Sequence, residues 1–248
     1  MTIDSADDLD GLRRAGRVAA EVLAALAVAV RPGVTTRELD DIAREIFRRH
    51  GAHSAPNVFY GFPGTLCISV NDEAVHGVPG LRPLHSGDLV KLDATPLVEG
   101  FVVDAAVTVV AGRTSDPTGI AMKTCAERAL AKATRSATAG RTTRDIGRVV
   151  QREVQTRGFS VLREVAGHGV GRTIHEGPHV PNWVDPSARS VLHEGLVIAI
   201  EPIISAGSKR LVTDHDGWTL RTSDGSLAAH AEHTVVITAD GPLILTAA

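Results

Sequence analysis

The chain has 248 residues, of which 43% are hydrophobic and 22% are charged, and its formal net charge is −3. This balance is typical of a globular protein with a sizeable core, and it gives no electrostatic basis for binding nucleic acid or a membrane surface. Two cysteines are too few for a disulfide framework, and the acidic N-terminus is unlike a secretory signal. We therefore expect a cytoplasmic protein.

Two pairs of helices are predicted, one pair in each half of the chain. Their approximate bounds are residues 13–30, 33–51, 119–139 and 140–158. The second helix of each pair opens with Gly-x-Thr-Thr-Arg and closes on a glycine, a pattern typical of a capped start and a left-handed end. The predicted capping pairs are Thr35 with Glu38 and Thr142 with Asp145. The repeated pattern indicates an internally duplicated chain, with halves at roughly 10–112 and 117–248.

Residues 88–112 contain two β-rich stretches on either side of Val98-Glu99-Gly100, which predicts a β-hairpin. If the loop consists of Val98 and Glu99, the side chains of Asp93 and Asp104 lie directly opposite each other on one face. Two carboxylates so close together within apolar strands resist ionisation unless a cation lies between them.

Later strands carry two more acidic residues. Residues 196–204 and 231–238 predict strands, and Asp-Gly turns between residues 213 and 230 predict a hairpin. The repeat places Glu201 at the equivalent acidic position of the second half, and Glu232 begins another apolar strand. Each acid alone is equally consistent with an exposed position. A buried cluster of four carboxylates, however, needs about four positive charges, which two divalent metals supply.

The segment GHGVGRTIHEGP, from Gly167 to Pro178, holds two histidines on a backbone unsuited to a helix. The glycines around the first histidine allow another part of the chain to approach it closely. One imidazole added to four carboxylates suits manganese, iron(II), cobalt or zinc in a two-metal site. Such a metal pair activates water at neutral pH, which points to hydrolysis.

Five ordered segments give a specific family resemblance. They are ISVNDEAVHGVPG, GDLVKLDATPLVEGFVVDAA, GHGVGRTIHEGPHV, IAIEPIISAG and DGWTLRTSDGSLAAHAEHTVVIT. With them, the chain resembles the type I methionine aminopeptidases, which share the pita-bread fold with prolidase, aminopeptidase P and creatinase. The resemblance implies an α+β pita-bread fold, with pseudo-two-fold duplicated halves whose antiparallel sheets form a central curved β surface covered by helices. It also implies a single catalytic domain over residues 1–248.

The resemblance implies two divalent metal ions per chain, of manganese, iron(II), cobalt or zinc. The implied metal ligands are Asp93, Asp104, His168, Glu201 and Glu232. It further implies that a hydroxide bridging the metals attacks the first peptide bond, with Glu201 as general base and His76 and His175 as the other catalytic residues. The residues implied to contact substrate are His76, His175, Phe59, Phe62, Cys67, Ile174 and Trp218.

The implied activity is removal of the N-terminal methionine from nascent proteins and peptides whose second residue is small. The implied partners are peptide or nascent-chain N-termini, with a transient ribosome contact. We expect a monomer that binds neither nucleic acid nor a membrane. Two alternatives are an Xaa-Pro peptidase of the same fold and a non-catalytic peptide-binding module. The complete ligand set and the cluster of aromatic residues Phe59, Tyr60 and Phe62 favour the methionine-specific enzyme.

Four residues at three places in the chain depart from the family pattern. Ile174 stands where an aromatic residue is frequent, and Val102-Val103 stands where a histidine or another polar or small residue is more usual. His230 stands where glutamine is frequent, and we expect it beside the metal ligands. These departures bear on the shape of the pocket and the surroundings of the metals, and they leave the predicted reaction unchanged.

Overall fold

The computed structural model describes residues 1–114 and 116–247, and it arranges them as helices packed on a central antiparallel sheet. The helices are α1 (Ala6–Ala29), α2 (Thr36–Arg49), α3 (Ala55–Tyr60), α4 (Pro117–Ser136) and α5 (Thr143–Thr156). The strands are β1 (His53–Ser54), β2 (Cys67–Val70), β3 (Glu73–Val75), β4 (Leu89–Ala94), β5 (Pro96–Val98), β6 (Phe101–Val102), β7 (Ala105–Val110), β8 (Ser160–Val161), β9 (Gly167–Gly169), β10 (Glu176–Val180), β11 (Val197–Ile200), β12 (Ile203–Ser205), β13 (Leu211–Thr213), β14 (Leu220–Thr222), β15 (Ala228–His230), β16 (Glu232–Thr238) and β17 (Gly241–Ile244). Ala248, the last residue of the second predicted half, lies outside the described residues.

Both predicted helix pairs are present, and local hydrogen bonds explain where their second members begin. At the start of α2, Glu38 N donates to Thr35 Oγ1 (3.2 Å) and Thr35 N donates to Glu38 Oε2 (2.7 Å). At the start of α5, Thr142 N likewise donates to Asp145 Oδ2 (3.0 Å). A glycine in the left-handed conformation follows each helix. The predicted capping of α2 and α5 is confirmed.

The first helix is longer than predicted. It begins at Ala6 rather than near residue 13, because Ser5 Oγ accepts a hydrogen bond from Asp8 N (3.1 Å) and two acidic residues occupy its first turn. Its apolar side packs into the core with the strands of the first half. Within residues 1–114 and 116–247, none of the helices combines the length and apolar character needed to cross a membrane.

The short helix α3 was not predicted from the sequence. Ser54 caps its N-terminus by accepting from Asn57 N (3.3 Å), Pro56 lies in its first turn, and Gly61 ends it with φ of +75°. These are ordinary start and stop signals, but the helix is too short to show a hydrophobic period. It matters for function because it carries aromatic residues to the site described below.

An eight-stranded antiparallel sheet forms the centre of the molecule. Its strand order is β10-β9-β11-β16-β7-β4-β2, with β17 paired to β16. Strands from before α4 and after α5 therefore join in one sheet. They meet where β16 pairs with β7, through the register pairs Glu232 with Ala106 and His233 with Ala105. The predicted central antiparallel surface is present as this continuous sheet.

The hairpin predicted within residues 88–112 is present, but its loop lies one residue further along the chain. Val98 pairs with Phe101, so the loop residues are Glu99 and Gly100 rather than Val98 and Glu99. Both loop residues have positive φ, +49° and +81°. A two-residue hairpin turn that matches the strand twist requires this conformation, and glycine adopts it easily.

This shift changes the register of the predicted acidic pair. Asp93 pairs with Ala106 in the β4–β7 ladder, so the expectation that it lies directly opposite Asp104 is wrong. Asp104 instead lies just before β7, where Thr95 Oγ1 donates to its Oδ1 (2.9 Å). Because Ala106 is two residues from Asp104, the side chains of Asp93 and Asp104 still lie on the same face of the sheet, as diagonal neighbours.

The strand predicted over residues 196–204 is interrupted. β11 ends at Ile200 and β12 begins at Ile203, because Pro202 has no backbone N–H to continue a ladder. β11 belongs to the central sheet, whereas β12 pairs with β15 and β8 in a separate three-stranded sheet. Glu201 therefore lies where the chain leaves the central sheet, as Asp93 nearly does at the end of β4.

Alternation along β4 separates the core from the acidic face. Leu92 and Ala94 are fully buried in the core cluster that includes residues of α1. The side chain of Asp93, which lies between them, points to the opposite face of the sheet. Burying Leu92 contributes about 1.5–3 kcal/mol to stability, so packing against the helix fixes the direction of the carboxylate.

Candidate active site

The five predicted metal ligands line one cavity of about 310 Å³ on the face of the sheet opposite α1. They are Asp93, Asp104, His168, Glu201 and Glu232. His76 and His175 line the same cavity. Residues that are distant in sequence are therefore brought to a common centre by the ends of neighbouring strands.

Glycines allow the strands around His168 to approach closely. A Cβ atom at Gly169 would lie 2.0 Å from the backbone oxygen of Gly177, and one at Gly167 would lie 2.4 Å from the backbone oxygen of Ala199. Any larger residue at either position would push the strands apart. The glycines therefore let β9 hold the imidazole deep in the sheet.

Two groups of ligand atoms are close enough to share an ion. Atoms of Asp104, His168 and Glu232 lie within 4.8 Å of one another, and so do atoms of Asp93, His230 and Glu232. Glu232 belongs to both groups and lies between them. The second group contains His230, which sequence reasoning placed beside the ligands and did not include among them.

Burial dominates the electrostatics of this cluster. It raises the pKa of Asp93 to about 6, and burial together with the charge of Asp93 raises the pKa of Glu201 to about 8. Burial and neighbouring carboxylates raise the pKa values of Asp104 and Glu232 well above their usual range. Burial lowers the pKa of His168 to about 4, so its ring is neutral at pH 7. The four acids resist becoming anions together unless cations join them.

The donor atoms fit divalent metals. Asp93 Oδ1 and Glu232 Oε1 are buried and have no hydrogen-bond partner among the residues described. His168 Nδ1 lies 2.9 Å from Gly169 O, which assigns its proton to Nδ1 and leaves the Nε2 lone pair free, 3.5 Å from Glu201 Oε1. Orphaned carboxylate oxygens beside a bare imidazole nitrogen form a ligand set for hard or borderline divalent ions.

A smaller cavity of about 100 Å³ adjoins the acidic cluster. It is lined by Pro56, Tyr60, Phe62, Cys67, His76, Asp93, Thr95, Asp104, Ile174, His175 and Trp218. The rings of Phe62 and Trp218 meet edge to face, with centroids 5.4 Å apart. Cys67 pairs with Asp93 across β2 and β4, so the apolar pocket and the carboxylates lie side by side.

Four of the five predicted apolar contact residues line this pocket, and the fifth does not. Phe59 is 38% exposed and lies outside the set of described residues that line the cavity, whereas its neighbour Tyr60 lines it. Successive residues of a helical turn point about 100° apart, so the conformation of α3 decides which ring faces inward. Sequence reasoning did not predict α3 and did not include Tyr60 among the contact residues.

Tyr60 also contacts a predicted catalytic residue. Its hydroxyl lies 2.8 Å from His175 Nδ1, and the His175 ring lies 4.4 Å from the His168 ring, centroid to centroid. Desolvation lowers the pKa of His175, so the neutral form dominates at pH 7. The aromatic cluster VFYGFPG was a visible signal for this region, although it did not indicate which ring would contact the histidine.

A larger cavity of about 450 Å³ lies against α2, away from this cluster. Its two arginines are already paired, because Arg44 lies 2.6 Å from Asp41 and Arg48 lies 2.7 Å from Glu45. It is an open hollow that brings together no group of carboxylates and histidines among the residues described. The chemistry therefore lies at the acidic cluster.

The fold and the cluster together define a metal-dependent hydrolase, and comparison with known proteins gives its family. Residues 10–239 match the model of metallopeptidase family M24. A methionine aminopeptidase of Clostridium perfringens is 42% identical over 99% of this chain and 98% of that protein. Methionine aminopeptidase 2 of Bacillus subtilis is 40% identical over 99% of both. The crystal structure of methionine aminopeptidase from Thermotoga maritima has a TM-score of 0.96 at 36% identity, covering 100% of both chains.

The chain belongs to metallopeptidase family M24. The full-length relatives named above are all methionine aminopeptidases. The predicted resemblance and the predicted α+β pita-bread fold are therefore confirmed.

Proposed function

We propose that this protein is a methionine aminopeptidase that removes the N-terminal methionine from peptides and nascent proteins whose second residue is small. The observation that carries this proposal is the direct contact between a buried cluster of metal-ligating groups and an apolar pocket walled by Phe62 and Trp218. A soft thioether packs well against aromatic rings. Membership of a metallopeptidase family and full-length likeness to methionine aminopeptidases support the same activity.

The proposed cofactor is a pair of divalent metal ions. Asp93, Asp104, His168, Glu201 and Glu232 would hold them. When bound, such ions polarise a carbonyl group and activate water for attack at neutral pH. The identity of the ions, among manganese, iron(II), cobalt and zinc, is part of the proposal to be tested.

His175 is proposed to stabilise the charge that develops on the scissile carbonyl oxygen. In this proposal the Tyr60 hydroxyl donates to His175 Nδ1 across the 2.8 Å contact. A neutral imidazole that accepts at Nδ1 carries its proton on Nε2. That N–H is then available to donate to the carbonyl oxygen as negative charge builds up in the transition state.

His76 is proposed to contact the amide that follows the N-terminal residue. It adopts φ of +59°, a conformation that is uncommon for residues other than glycine. The neighbouring Gly77 makes this path possible, because a Cβ there would lie 2.3 Å from the backbone oxygen of Ile68. Backbone strain of this kind is found where a side chain is held in a required position.

Glu201 is proposed to be the general base. Asn182 Nδ2 donates to the Glu201 backbone oxygen (2.8 Å) and fixes the residue at the break between β11 and β12. A carboxyl group whose pKa lies close to neutrality, as burial and Asp93 set it here, can both accept and release a proton near that pH. Glu201 would take this proton from the attacking water and pass it to the leaving amine.

The cellular setting is also a proposal. We propose one catalytic domain formed by two duplicated halves, acting as a cytoplasmic monomer on nascent chains during a transient ribosome contact. Both cysteines, Cys67 and Cys125, are free and buried, which supports a reducing compartment. The small net charge of −3 supports the absence of nucleic acid as a partner.

The test is peptide turnover by metal-free protein titrated with manganese, iron(II), cobalt or zinc. We expect release of methionine from a Met-Ala-Xaa peptide after addition of about two equivalents of metal, and little cleavage of Xaa-Pro peptides. Glu201→Gln is the inactive control. Cleavage restricted to Xaa-Pro peptides would replace the proposal with the proline-specific alternative. Failure to take up any of these metals would favour the non-catalytic binding module.

A further inference from the structure

One buried histidine beside the acidic cluster is not explained by the five-ligand centre. His230 is only 1% exposed, and neither ring nitrogen has a hydrogen-bond partner within the described portion of the chain. Buried polar atoms are nearly always paired, because an unpaired one loses its hydrogen bonds to water without gaining any in the protein. An imidazole with two orphaned nitrogens next to orphaned carboxylate oxygens therefore indicates a missing shared partner.

The distances around His230 fit a metal ion better than direct hydrogen bonds. Its Nε2 atom lies 3.5 Å from Glu232 Oε2 and 3.7 Å from Glu201 Oε2. Direct N–H···O hydrogen bonds are shorter, at about 2.7–3.2 Å. Ligand atoms that bind one metal at about 2.1 Å lie roughly 3.0–3.5 Å from each other, depending on the coordination angle. The observed separations are close to this range.

The backbone holds His230 rigidly in this position. His230 N donates to Thr108 Oγ1 (2.9 Å), and the Thr108 hydroxyl in turn donates to the backbone oxygen of His230 (2.6 Å). His230 also pairs with Ile203 across β15 and β12. Because both backbone groups are fixed, the ring is directed at the acidic cluster by the fold.

The ligand atoms divide into two groups, and each contains one histidine. His168 belongs to the group with Asp104 and Glu232, and His230 belongs to the group with Asp93 and Glu232. Without His230, the second group would consist of carboxylates alone.

We propose that His230 Nε2 is a sixth metal ligand, which binds the ion held by Asp93 and Glu232. This inference rests on the proposed metal centre and adds a nitrogen donor to its carboxylate-only position. Imidazole favours zinc, cobalt and iron(II), whereas carboxylate and water favour manganese. His230 should therefore shift the selectivity of that position away from manganese.

The first test counts the coordinated histidines in the wild-type protein loaded with two equivalents of cobalt(II). Each cobalt-bound imidazole gives one strongly shifted, solvent-exchangeable N–H signal in the proton NMR spectrum. We expect two such signals, one from His168 and one from His230. X-ray absorption of the same sample should count an average of one imidazole per cobalt. One signal, with half an imidazole per cobalt, would overturn the proposal.

The second test uses three variants. His230→Gln should remove one shifted signal, and His168→Gln should remove the other. His179→Gln is the matched control, because His179 lines the acidic cavity together with His168 but belongs to neither ligand group. It should leave both signals in place. Retention of both signals in His230→Gln would overturn the proposal.

Calorimetric titration measures the effect on affinity. Losing a partner outside the ligand set typically weakens metal binding about 10–100-fold, so losing a ligand should weaken one of the two cobalt equivalents by more than ~100-fold in His230→Gln. Manganese binding should weaken less than cobalt binding. Equal affinity in the wild type and His230→Gln, with two metals bound, would refute the role of His230 and leave the proposed function intact. Absence of any metal binding by the wild type would refute both.

Discussion

The buried carboxylates make a quantitative prediction for the metal-free protein, in which Glu201→Gln should stabilise the fold while abolishing turnover. The pKa of Glu201 is raised from 4.5 to about 8 by burial and by Asp93. The folded protein therefore holds a proton that the unfolded chain releases above pH 4.5. The contribution of this proton to the free energy of unfolding is fully present below pH 4.5 and is lost as the pH rises to 8.

The size of the effect follows from about 1.4 kcal/mol per pH unit for one proton. Relative to acidic conditions, the ionisable carboxyl group destabilises the metal-free wild type by about 2 kcal/mol at pH 6 and about 5 kcal/mol at pH 8. The glutamine variant carries no such penalty. The charge of Glu201 also raises the pKa values of Asp104 and Glu232. Removing it therefore lessens the repulsion on these two carboxylates, which further stabilises the variant.

The assay is urea unfolding in the presence of a chelator at several values between pH 5 and pH 9. The free energy of unfolding of Glu201→Gln should exceed that of the wild type by an amount that grows with pH and levels off above pH 8. Glu194→Gln, at an exposed position, is the control and should show no such trend. Added manganese should stabilise the wild type more than the variant. A difference that is flat with pH, or a variant less stable than the wild type at pH 8, would refute the reasoning.

Three further predictions concern neighbouring residues. Tyr60→Phe should lower kcat roughly 10-fold with unchanged metal content, the loss expected from one hydrogen bond of about 1.4 kcal/mol; an unchanged kcat would rule out its role in orienting His175. His175→Ala should lower kcat at least ~100-fold while metal analysis still finds two ions; loss of metal with full activity after reconstitution would contradict this. Gly169→Ala should destabilise the fold by about 3 kcal/mol or more, because the new Cβ would lie 2.0 Å from the backbone oxygen of Gly177. Gly80→Ala is the control and should have little effect, because no atom lies within 4 Å of a Cβ built there. Thermal unfolding distinguishes the two variants.

Features set by short-range chemistry could be predicted from the sequence. The capping pair Thr35–Glu38 and its repeat in the second half place the starts of α2 and α5 because both partners lie within four residues. The acids at Asp93 and Glu232 stood out because each interrupts or begins an apolar strand. Five candidate ligands could be selected from such patterns and from family resemblance, and the fold brings them to one cavity.

Features that depend on one residue of register or on tertiary packing could not be predicted. Glu99-Gly100 and Val98-Glu99 are both plausible loops, yet the choice between them decides what faces Asp93. The direction of the Tyr60 side chain depends on α3, a helix of only six residues. The position of His230 depends on Thr108, which is far away in sequence and fixes its backbone.

The β16–β7 junction has a consequence for how activity arises during synthesis. Asp93 and Asp104 lie before α4, whereas His168, Glu201 and Glu232 lie after it, so neither part of the chain holds all five proposed ligands. Asp104 is anchored across the junction, because its N donates to Thr234 Oγ1 (2.7 Å). If these five are the ligands, a partly synthesised or truncated copy should be chemically inert, and the peptidase centre should form only when the last strands complete the sheet.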